Sequence, residues 1–286
     1  MRSFLFVPGD SERKFAKART GNADALILDL EDSVAADNKE AARGVVLDML
    51  AAERSAQKLF VRINALGTGL TATDLAAVMK GRPDGIVLPK SENAADVNRI
   101  ATMLDALEPV FGIQPGRTRI VGIATETAAS LFGLGSYREA SPRLWGIMWG
   151  AEDLAASFGA STNHDGSGLL EQFRLARSLC LAGAAAAGIA AIDSVATKID
   201  DLCALEVEAR AARRDGFVAK AVIHPKHVDP VNAAFLPSEA EIDEARRVVA
   251  AFQRAGELGV VRLDDRMLDM PHLRAAQSLL RNAQTS

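Results

Sequence analysis

Short continuous apolar runs recur along this chain, and they alternate with longer segments whose apolar residues have helical spacing. An uninterrupted apolar run is typical of a parallel strand that is covered on both faces. Eight strand–helix units favour an α/β fold of the (β/α)₈ TIM barrel type over an open doubly wound sheet. The eight predicted strands are Ser3–Val7, Ala25–Leu30, Leu59–Asn64, Gly85–Pro89, Arg119–Thr125, Leu144–Trp149, Ala191–Val195 and Ala219–His224.

The segments between the strands predict helices, the first of which begins at a serine suited to capping. No glycine-rich dinucleotide fingerprint follows the first strand, which argues against a Rossmann sheet. The predicted helices are Ser11–Arg19, Asn38–Ala52, Thr71–Met79, Ala94–Leu107, Leu169–Ala187 and Asp200–Arg214.

The pattern changes after the eighth strand. A long charged amphipathic helix is predicted over Ser238–Glu257, a short strand and turn over Gly259–Asp265, and a final helix over Met270–Asn282. We therefore predict a catalytic barrel domain over residues 1–236 and a C-terminal extension over residues 237–286. The extension is either a stabilising appendage or a lid over the site of a neighbouring subunit.

Composition excludes some classes of partner. The formal net charge is −4 and Lys and Arg form no block, which argues against a nucleic-acid partner. The apolar stretch Leu179–Ala191 is too short to span a membrane, and Pro8 and Gly9 interrupt the apolar run at the start of the chain. We expect a cytoplasmic protein without a membrane segment.

Polar side chains collect where the predicted strands end. In a barrel, residues at the carboxyl ends of the strands surround the active site. Carboxylates follow three of the eight strands with an arginine between them, which is more than a solvated rim requires. The residues at these ends are Asp29, Glu31, Asp32, Arg62, Asn64, Lys90, Glu126, Glu152, Asp153 and His224.

Carboxylates in one barrel mouth repel each other, and a hard divalent cation would relieve that repulsion. Mg²⁺ is typically held by one or two protein carboxylates together with waters and substrate oxygens. We predict Glu126 and Asp153 as direct ligands of Mg²⁺, with Mn²⁺ as a substitute. The groups expected around the metal and its waters are Asp29, Glu31, Asp32 and Lys90. The histidines lack metalloprotease-like spacing, which argues against zinc.

Three basic residues at the strand ends have two interpretations each. Arg62 either balances charge or supplies a fixed cation to an oxygen that gains charge during a reaction. Lys90 is either an ion-paired barrel lysine or a Schiff-base nucleophile. His224 either contacts substrate or packs against its neighbours.

Several motifs in register resemble one known family. These are RSFLFVPG, ALILDLEDSV, FVRIN, VLPK, an ET pair after the fifth strand, MWGAEDLA and IHPKHV. Together they resemble the citrate lyase β-subunit-like proteins, the HpcH/HpaI aldolase/citrate lyase family, over nearly the whole chain. The resemblance implies a barrel enzyme that cleaves or forms a carbon–carbon bond between an acyl-CoA and a 2-oxo acid.

The resemblance also implies roles for individual residues. Arg62 would polarise the substrate, Glu126 and Asp153 would bind Mg²⁺, and Phe6 and Lys17 would contact CoA. Further contacts to substrate or CoA are expected at Arg62, Glu126, Glu152, Ile223 and His224. One position departs from the pattern, because Ser11 stands where relatives often carry an arginine; Arg13 could replace it.

The tail RMLDMPHLRAAQ resembles the C-terminal segment of malyl-CoA and citramalyl-CoA lyases. The resemblance implies that Asp269 is an acid/base group able to reach a neighbouring subunit's site. It further implies a homo-oligomer, a trimer or hexamer, rather than a subunit of a large citrate lyase complex.

The expected reaction is reversible cleavage of a hydroxyacyl-CoA of the citramalyl-CoA or malyl-CoA type. Three alternatives stay open at this stage. The first is a metal-dependent 2-oxo acid aldolase that needs no CoA, and the second is a citrate lyase β subunit acting on an acyl-carrier protein. The third is a barrel retained for binding alone.

Overall fold

The computed structural model describes residues 1–166, 168–256 and 259–284, and eight parallel strands in it form a closed barrel. Each strand pairs with the next, and the eighth pairs with the first, so the predicted α/β barrel is confirmed. The strands are β1 Ser3–Pro8, β2 Ala25–Asp29, β3 Lys58–Arg62, β4 Gly85–Leu88, β5 Arg119–Ile123, β6 Leu144–Met148, β7 Ala190–Asp193 and β8 Ala219–Val222.

Helices follow the strands and cover the outside of the barrel. Ser11 begins the first one as predicted, and its side chain accepts a hydrogen bond from the Lys14 amide. The helices that follow the barrel strands are α1 Glu12–Arg19, α2 Lys39–Ala51, α3 Thr71–Val78, α4 Ala94–Val110, α5 Ser130–Gly133, α6 Glu152–Phe158, α7 Glu171–Ala187, α8 Leu202–Asp215 and α9 Val228–Ala234. The short helices α5, α6 and α9 were not predicted from the sequence.

The interior of the barrel is filled by side chains that all eight strands supply. Phe4 lies at the centre of this core, with its ring centroid 5.6 Å from that of Phe60 and 5.5 Å from that of Trp145. Gly85 lies beside Phe60, and a Cβ atom at Gly85 would come within 2.3 Å of the Phe60 ring. The core therefore uses a large residue opposite a glycine, and the interior is packed rather than open.

Several predicted strands extend too far at their carboxyl ends. Asn64 and His224 were placed inside strands, but β3 ends at Arg62 and β8 ends at Val222. Asn64 instead uses its backbone and side-chain N–H groups to donate hydrogen bonds to the buried carboxylate of Asp74, both at 2.8 Å. The polar residue leaves the strand ladder because a side-chain partner replaces the strand partner.

The chain divides into two compact units, Met1–Asn232 and Ala233–Ser286. The division lies close to the domain boundary proposed after residue 236. The second unit contains α10 Glu239–Ala255, the antiparallel pair β9 Val260–Leu263 and β10 Arg266–Asp269, and α11 Met270–Gln284. Among the described residues, no helix is both long enough and apolar enough to cross a membrane.

The C-terminal unit has its own small apolar core. Ser238 begins α10 with a capping box, in which Ser238 and Glu241 exchange side-chain-to-backbone hydrogen bonds. Apolar residues of α10, the hairpin and α11 pack together, among them Phe252, Val261 and Leu268. The extension is thus a folded helix–hairpin–helix motif.

Candidate active site

Five consecutive strands deliver charged side chains to the same end of the barrel. Asp29 and Arg62 are the last residues of β2 and β3, and Lys90 follows β4. Glu126 follows β5, and Asp153 lies in the first turn of α6, after β6. Because the strands are parallel and adjacent, these side chains surround one mouth.

Arg62 is held by the carboxylate of Asp29, its direct neighbour in the parallel ladder. Nε of Arg62 donates to Oδ1 of Asp29 at 2.6 Å, and Nη2 donates to Oδ2 at 2.7 Å. Burial alone would raise the pKa of Asp29, but the hydrogen bonds and charge of Arg62 outweigh burial and hold the pKa below its usual range. Such a bidentate pair fixes the plane of the guanidinium.

The remaining surroundings of Arg62 leave part of its donor capacity for a ligand. Its guanidinium carbon lies 4.9 Å from the centroid of the Phe6 ring, and Nη1 lies 3.1 Å from Oε2 of Glu31. A guanidinium has five N–H donors, and Asp29 takes two of them. Phe6, predicted to contact CoA, packs against the barrel core and supports Arg62.

Asp29 differs from the other predicted metal-associated carboxylates because both of its oxygens are fully engaged. Besides Arg62, Oδ1 accepts from the Glu31 amide at 2.8 Å and Oδ2 accepts from the Ser33 amide at 3.1 Å. The carboxylate of Asp29 therefore serves to hold the guanidinium of Arg62 in place. An orienting role toward metal-bound water stays a prediction for Glu31 and Asp32.

The ammonium group of Lys90 lies among three carboxylates. Its Nζ is 2.5 Å from Oε1 of Glu31, 3.4 Å from Oδ1 of Asp153 and 3.8 Å from Oδ2 of Asp32. Burial alone would lower the pKa of Lys90, but Glu31 and the neighbouring carboxylates outweigh it and raise the pKa. A lysine kept protonated is a poor Schiff-base nucleophile, so this geometry agrees with the ion-paired interpretation.

The backbone of Lys90 has an uncommon conformation for a residue other than glycine. Its φ is 51°, in the left-handed region, and its amide donates to Oε2 of Glu126 at 2.5 Å. The next amide, of Ser91, donates to the carbonyl of Ile123 at 3.0 Å. Strained backbone of this kind persists where the surroundings hold it, and it is common at functional sites.

Glu126 is almost completely buried, with 4 % of its surface exposed. Burial is the main reason that its pKa is raised to about 8, and the charges of Glu31 and Asp153 add to the increase. Burial likewise raises the pKa of Glu31. Burial and the neighbouring carboxylates therefore both disfavour the charged form of these two groups.

The balance of charge fits a divalent cation. Among the residues that the structure describes, the five carboxyl groups of Asp29, Glu31, Asp32, Glu126 and Asp153 face two cations, Arg62 and Lys90. In the described part of the chain, no three Asp, Glu, His or Cys side chains converge into a complete metal cage. Two hard carboxylate oxygens completed by water and ligand are what Mg²⁺ uses, so Glu126 and Asp153 fit as its protein ligands.

A second group of predicted contacts lies at the ends of β1 and β8. His224 precedes a short 3₁₀ turn, and its Nδ1 accepts from the Lys226 amide at 3.1 Å. The pKa of His224 is lowered, first by burial and then by the charges of His227, Lys226 and Lys17. Lys17, the other predicted CoA contact, lies in the last turn of α1. Ile223 is 40 % exposed beside them.

Glu152 and Asp269 each pair with a residue that is not among the charged groups described above. Glu152 begins α6, is exposed, and accepts a hydrogen bond from the Asn163 side chain at 2.8 Å. Asp269 belongs to the C-terminal unit, at the end of β10, where its Oδ1 lies 2.5 Å from Nδ1 of His272. Roles for both in binding or proton transfer stay predictions.

Comparison with known proteins agrees with this architecture. Residues 2–225 match the HpcH/HpaI aldolase/citrate lyase family, and residues 167–285 match the carbon–carbon bond lyases of the TIM-barrel fold. This chain belongs to the HpcH/HpaI aldolase/citrate lyase family. The predicted family and lyase class are thereby confirmed.

Relatives in this family cover nearly the whole chain. The citrate lyase subunit beta of Escherichia coli K12 is 35 % identical, across 100 % of this chain and 94 % of that protein. The (3S)-malyl-CoA thioesterase of Cereibacter sphaeroides KD131 is 34 % identical, across 99 % and 94 %. The solved structure of CitE from Mycobacterium tuberculosis with magnesium, acetoacetate and coenzyme A is 37 % identical, with a TM-score of 0.81 and coverage of 99 % and 98 %.

Several residues that position the lyase site were not found from the sequence. Tyr137 lies in an unpredicted 3₁₀ segment, and its buried hydroxyl donates to the carbonyl of Ser91 at 2.9 Å. Gly150 donates its amide to Oγ1 of Thr125 at 2.9 Å, and a Cβ atom at Gly150 would lie 2.8 Å from Cγ of Glu126. The glycine in MWGAED was a visible signal for such a close approach, whereas Tyr137 had none.

Proposed function

We propose that this chain is a Mg²⁺-dependent acyl-CoA lyase that cleaves or forms a carbon–carbon bond between an acyl-CoA enolate and a 2-oxo acid. The observation that carries the proposal is a fixed guanidinium beside an excess of carboxylates in one barrel mouth. Arg62 is clamped by Asp29 and lies within 4 Å of Glu31 and Asp32. The carboxylates of this mouth would repel an anionic substrate. Such a substrate suits the site only if a further cation binds there as well.

The metal is proposed from the donor set and from relatives. Glu126 and Asp153 supply the hard oxygens, and bound Mg²⁺ would supply Lewis-acid polarisation of a 2-oxo acid's oxygens. The CitE structures from Mycobacterium tuberculosis were solved with magnesium together with acetoacetate or with pyruvate. These relatives support the same class of ligand here.

Arg62 performs the electrostatic part of the proposed chemistry. Cleavage of the carbon–carbon bond at the α-carbon of the thioester leaves an enolate, and its negative charge lies on the thioester oxygen. The N–H groups of Arg62 that Asp29 does not occupy can donate to that oxygen, and their direction is set before the substrate binds. A preorganised donor of this type is typically worth about 10²–10³ in rate.

The CoA moiety is proposed to lie along the ends of β1 and β8. Lys17 and Lys226 supply positive charge there, and His224 has its Nε2 available, because Nδ1 already accepts the Lys226 amide. Phosphate groups are favoured by such a set of cationic donors. Asp269 is proposed to deliver the proton to the enolate carbon, and to remove it in the reverse direction.

The proposal is tested with the purified chain and a panel of hydroxyacyl-CoAs, citramalyl-CoA and malyl-CoA among them. The release of pyruvate or glyoxylate is followed with Mg²⁺ and with EDTA. Activity that requires both the CoA thioester and the metal is the expected result. Full activity in EDTA would sink the metal assignment, and equal activity on free hydroxy acids would favour the CoA-independent aldolase.

A second function is favoured by the similarity to citrate lyase beta subunits. In that function, the acyl group would be carried by an acyl-carrier protein rather than by CoA. Turnover of citramalyl-CoA or malyl-CoA by the chain alone would exclude a requirement for partner chains. Absence of turnover, with activity restored by an acyl-carrier substrate, would support the second function.

The assembly and location are proposed on the same basis. We expect a homotrimer or homohexamer in the cytoplasm, with Asp269 contributed across a subunit boundary. Light scattering on the purified chain measures the mass, and a monomer of 30.3 kDa at assay concentration would contradict that arrangement.

A further inference from the structure

The position of the Lys90 ammonium has a consequence for metal binding. Its Nζ contacts Glu31 at 2.5 Å and Asp153 at 3.4 Å, so it lies among the carboxylates that would otherwise attract a divalent cation. A cation that binds Asp153 and Glu126 must therefore approach a positive charge already in place. The ammonium partly neutralises the cluster before any metal arrives.

The backbone of Lys90 cannot move away easily when a metal binds. Its amide donates to Glu126, and the following residue is held on both sides, by the Ile123 carbonyl and by the buried hydroxyl of Tyr137. The left-handed backbone, with φ of 51°, is thus fixed by contacts on two neighbouring loops. Separation of the ammonium from Asp153 therefore requires rotation of the Lys90 side chain or of the Asp153 side chain.

The rest of the mouth offers the ammonium an alternative position. Asp32 has a side chain that is 57 % exposed, and its Oδ2 lies 3.8 Å from Nζ of Lys90 and 3.8 Å from Nη1 of Arg62. Rotation toward Asp32 and Glu31 would keep the ammonium paired while it releases Asp153. Pairing of Lys90 with Asp153 therefore competes with a metal, whereas pairing with Glu31 and Asp32 does not.

We propose that Lys90 is a built-in competitor of the divalent cation, which keeps metal affinity low until an anionic substrate binds. The inference rests on the proposed function, in which Glu126 and Asp153 hold the metal. A 2-oxo acid brings its own carboxylate, which offsets the charge of Lys90 and draws the metal into the site. Metal and 2-oxo acid then bind with positive cooperativity, and the coupling depends on the charge at position 90.

The test is Mn²⁺ binding to the full chain, measured by electron paramagnetic resonance and by calorimetry, with and without pyruvate. Lys90→Met removes the charge and keeps an unbranched side chain that is one heavy atom shorter. Without pyruvate, we expect this variant to bind Mn²⁺ at least about tenfold more tightly than wild type, within the usual range of coupling between sites. Pyruvate should tighten binding strongly in wild type and much less in the variant.

Two further variants serve as controls. Lys90→Arg retains the charge and should resemble wild type. Lys58→Met removes the same charge from the first residue of β3, where Nζ lies 3.6 Å from Asp84, and should leave Mn²⁺ affinity unchanged. Circular dichroism establishes that each variant is folded, and Lys90→Gln replaces Lys90→Met if the latter is not.

The outcomes separate this inference from the function on which it rests. Equal or weaker Mn²⁺ binding by Lys90→Met, with binding lost in Glu126→Gln, would overturn the competitor role alone. Unchanged binding in Glu126→Gln, or no binding by wild type even with pyruvate, would overturn the metal assignment and the inference together. A tenfold gain confined to the charge-removing variants at position 90 would establish the competition.

Discussion

Arg62 and Asp29 face each other in the parallel ladder of β2 and β3, and two hydrogen bonds join their side chains. The orientation of the guanidinium is therefore set by the barrel itself rather than by a mobile loop. Asp29 is therefore a positioning residue for Arg62. The rate of catalysis should depend on its carboxylate even though this group need not touch the substrate.

Loss of the Asp29 carboxylate should reduce turnover while metal binding is retained. We expect Asp29→Asn to lower kcat by about 10–100-fold, the usual cost of removing a group that orients a functional residue. Arg62→Lys should lower kcat by about 10²–10³, because a point charge cannot reproduce the fixed fork. Steady-state kinetics on a hydroxyacyl-CoA measure both effects, and Mn²⁺ binding is the control. A wild-type kcat in Asp29→Asn would contradict the positioning role.

The pKa of Glu126 predicts that metal binding releases a proton. With a pKa of about 8, mainly through burial, the carboxyl group is largely protonated at neutral pH before metal binds. Metal affinity should therefore rise as pH increases toward 8 and level off above it. Calorimetry in two buffers with different ionisation heats measures the proton that is released when metal binds. Affinity that stays flat between about pH 6 and pH 8 would argue against this.

The same shift has a consequence for the stability of the metal-free protein. The pKa of Glu126 is higher in the folded chain than its ordinary value of 4.5. The stabilising contribution of the neutral form is complete below that ordinary value, and it is lost as pH rises through the folded pKa. Added Mg²⁺ should restore stability most strongly at the alkaline end of this interval, which thermal unfolding at several pH values would reveal.

Gly150 should be intolerant of a side chain. A Cβ atom there would lie 2.8 Å from Cγ of Glu126 and would push aside the side chain that we propose as a metal ligand. We expect Gly150→Ala to weaken Mn²⁺ binding and to cost about 1–3 kcal/mol of stability through overpacking. Gly44→Ala is the matched control, because Gly44 lies in α2 with nothing within 4 Å of its added Cβ. Unaltered Mn²⁺ affinity in Gly150→Ala would show that Glu126 has room to shift.

Asp269 provides a test of the C-terminal unit. We expect Asp269→Asn to lower turnover by about 10²–10⁴, the usual contribution of an acid/base group, without weakening Mn²⁺ binding. Exchange of the acetyl-CoA methyl protons in deuterium oxide measures its proton transfer directly. Asp265→Asn, on the same hairpin, removes a carboxylate that pairs with Arg262 and should leave exchange unchanged. Normal exchange in Asp269→Asn would assign the tail a structural role.

The barrel could be predicted from the sequence because most strands are continuous apolar runs, as buried parallel strands require, and because eight strand–helix units favour a closed barrel over an open sheet. The errors lie at the carboxyl ends. Asn64 and His224 were predicted inside strands, yet each leaves the ladder to bond with a side chain or a turn. Hydrophobic pattern alone does not reveal where a side-chain partner replaces a strand partner.

That these charged side chains share one barrel mouth could be predicted from their positions after strands, but their contacts could not. Nothing local in VLPK indicates that the backbone of Lys90 is left-handed or that its amide donates to Glu126, 36 positions later. Those contacts depend on how two loops pack on each other. Tyr137, which holds Ser91, lies in a segment without a helical pattern of its own.

The left-handed backbone at Lys90 would be more stable with glycine, whereas the proposed role of this position requires the lysine side chain. A residue with a Cβ atom in this conformation costs about 1–2 kcal/mol that glycine avoids. A library of variants selected only for heat resistance should therefore accumulate glycine at position 90. Selection for growth that depends on formation of the enzyme's product should retain lysine, so the two selections would diverge at this single codon.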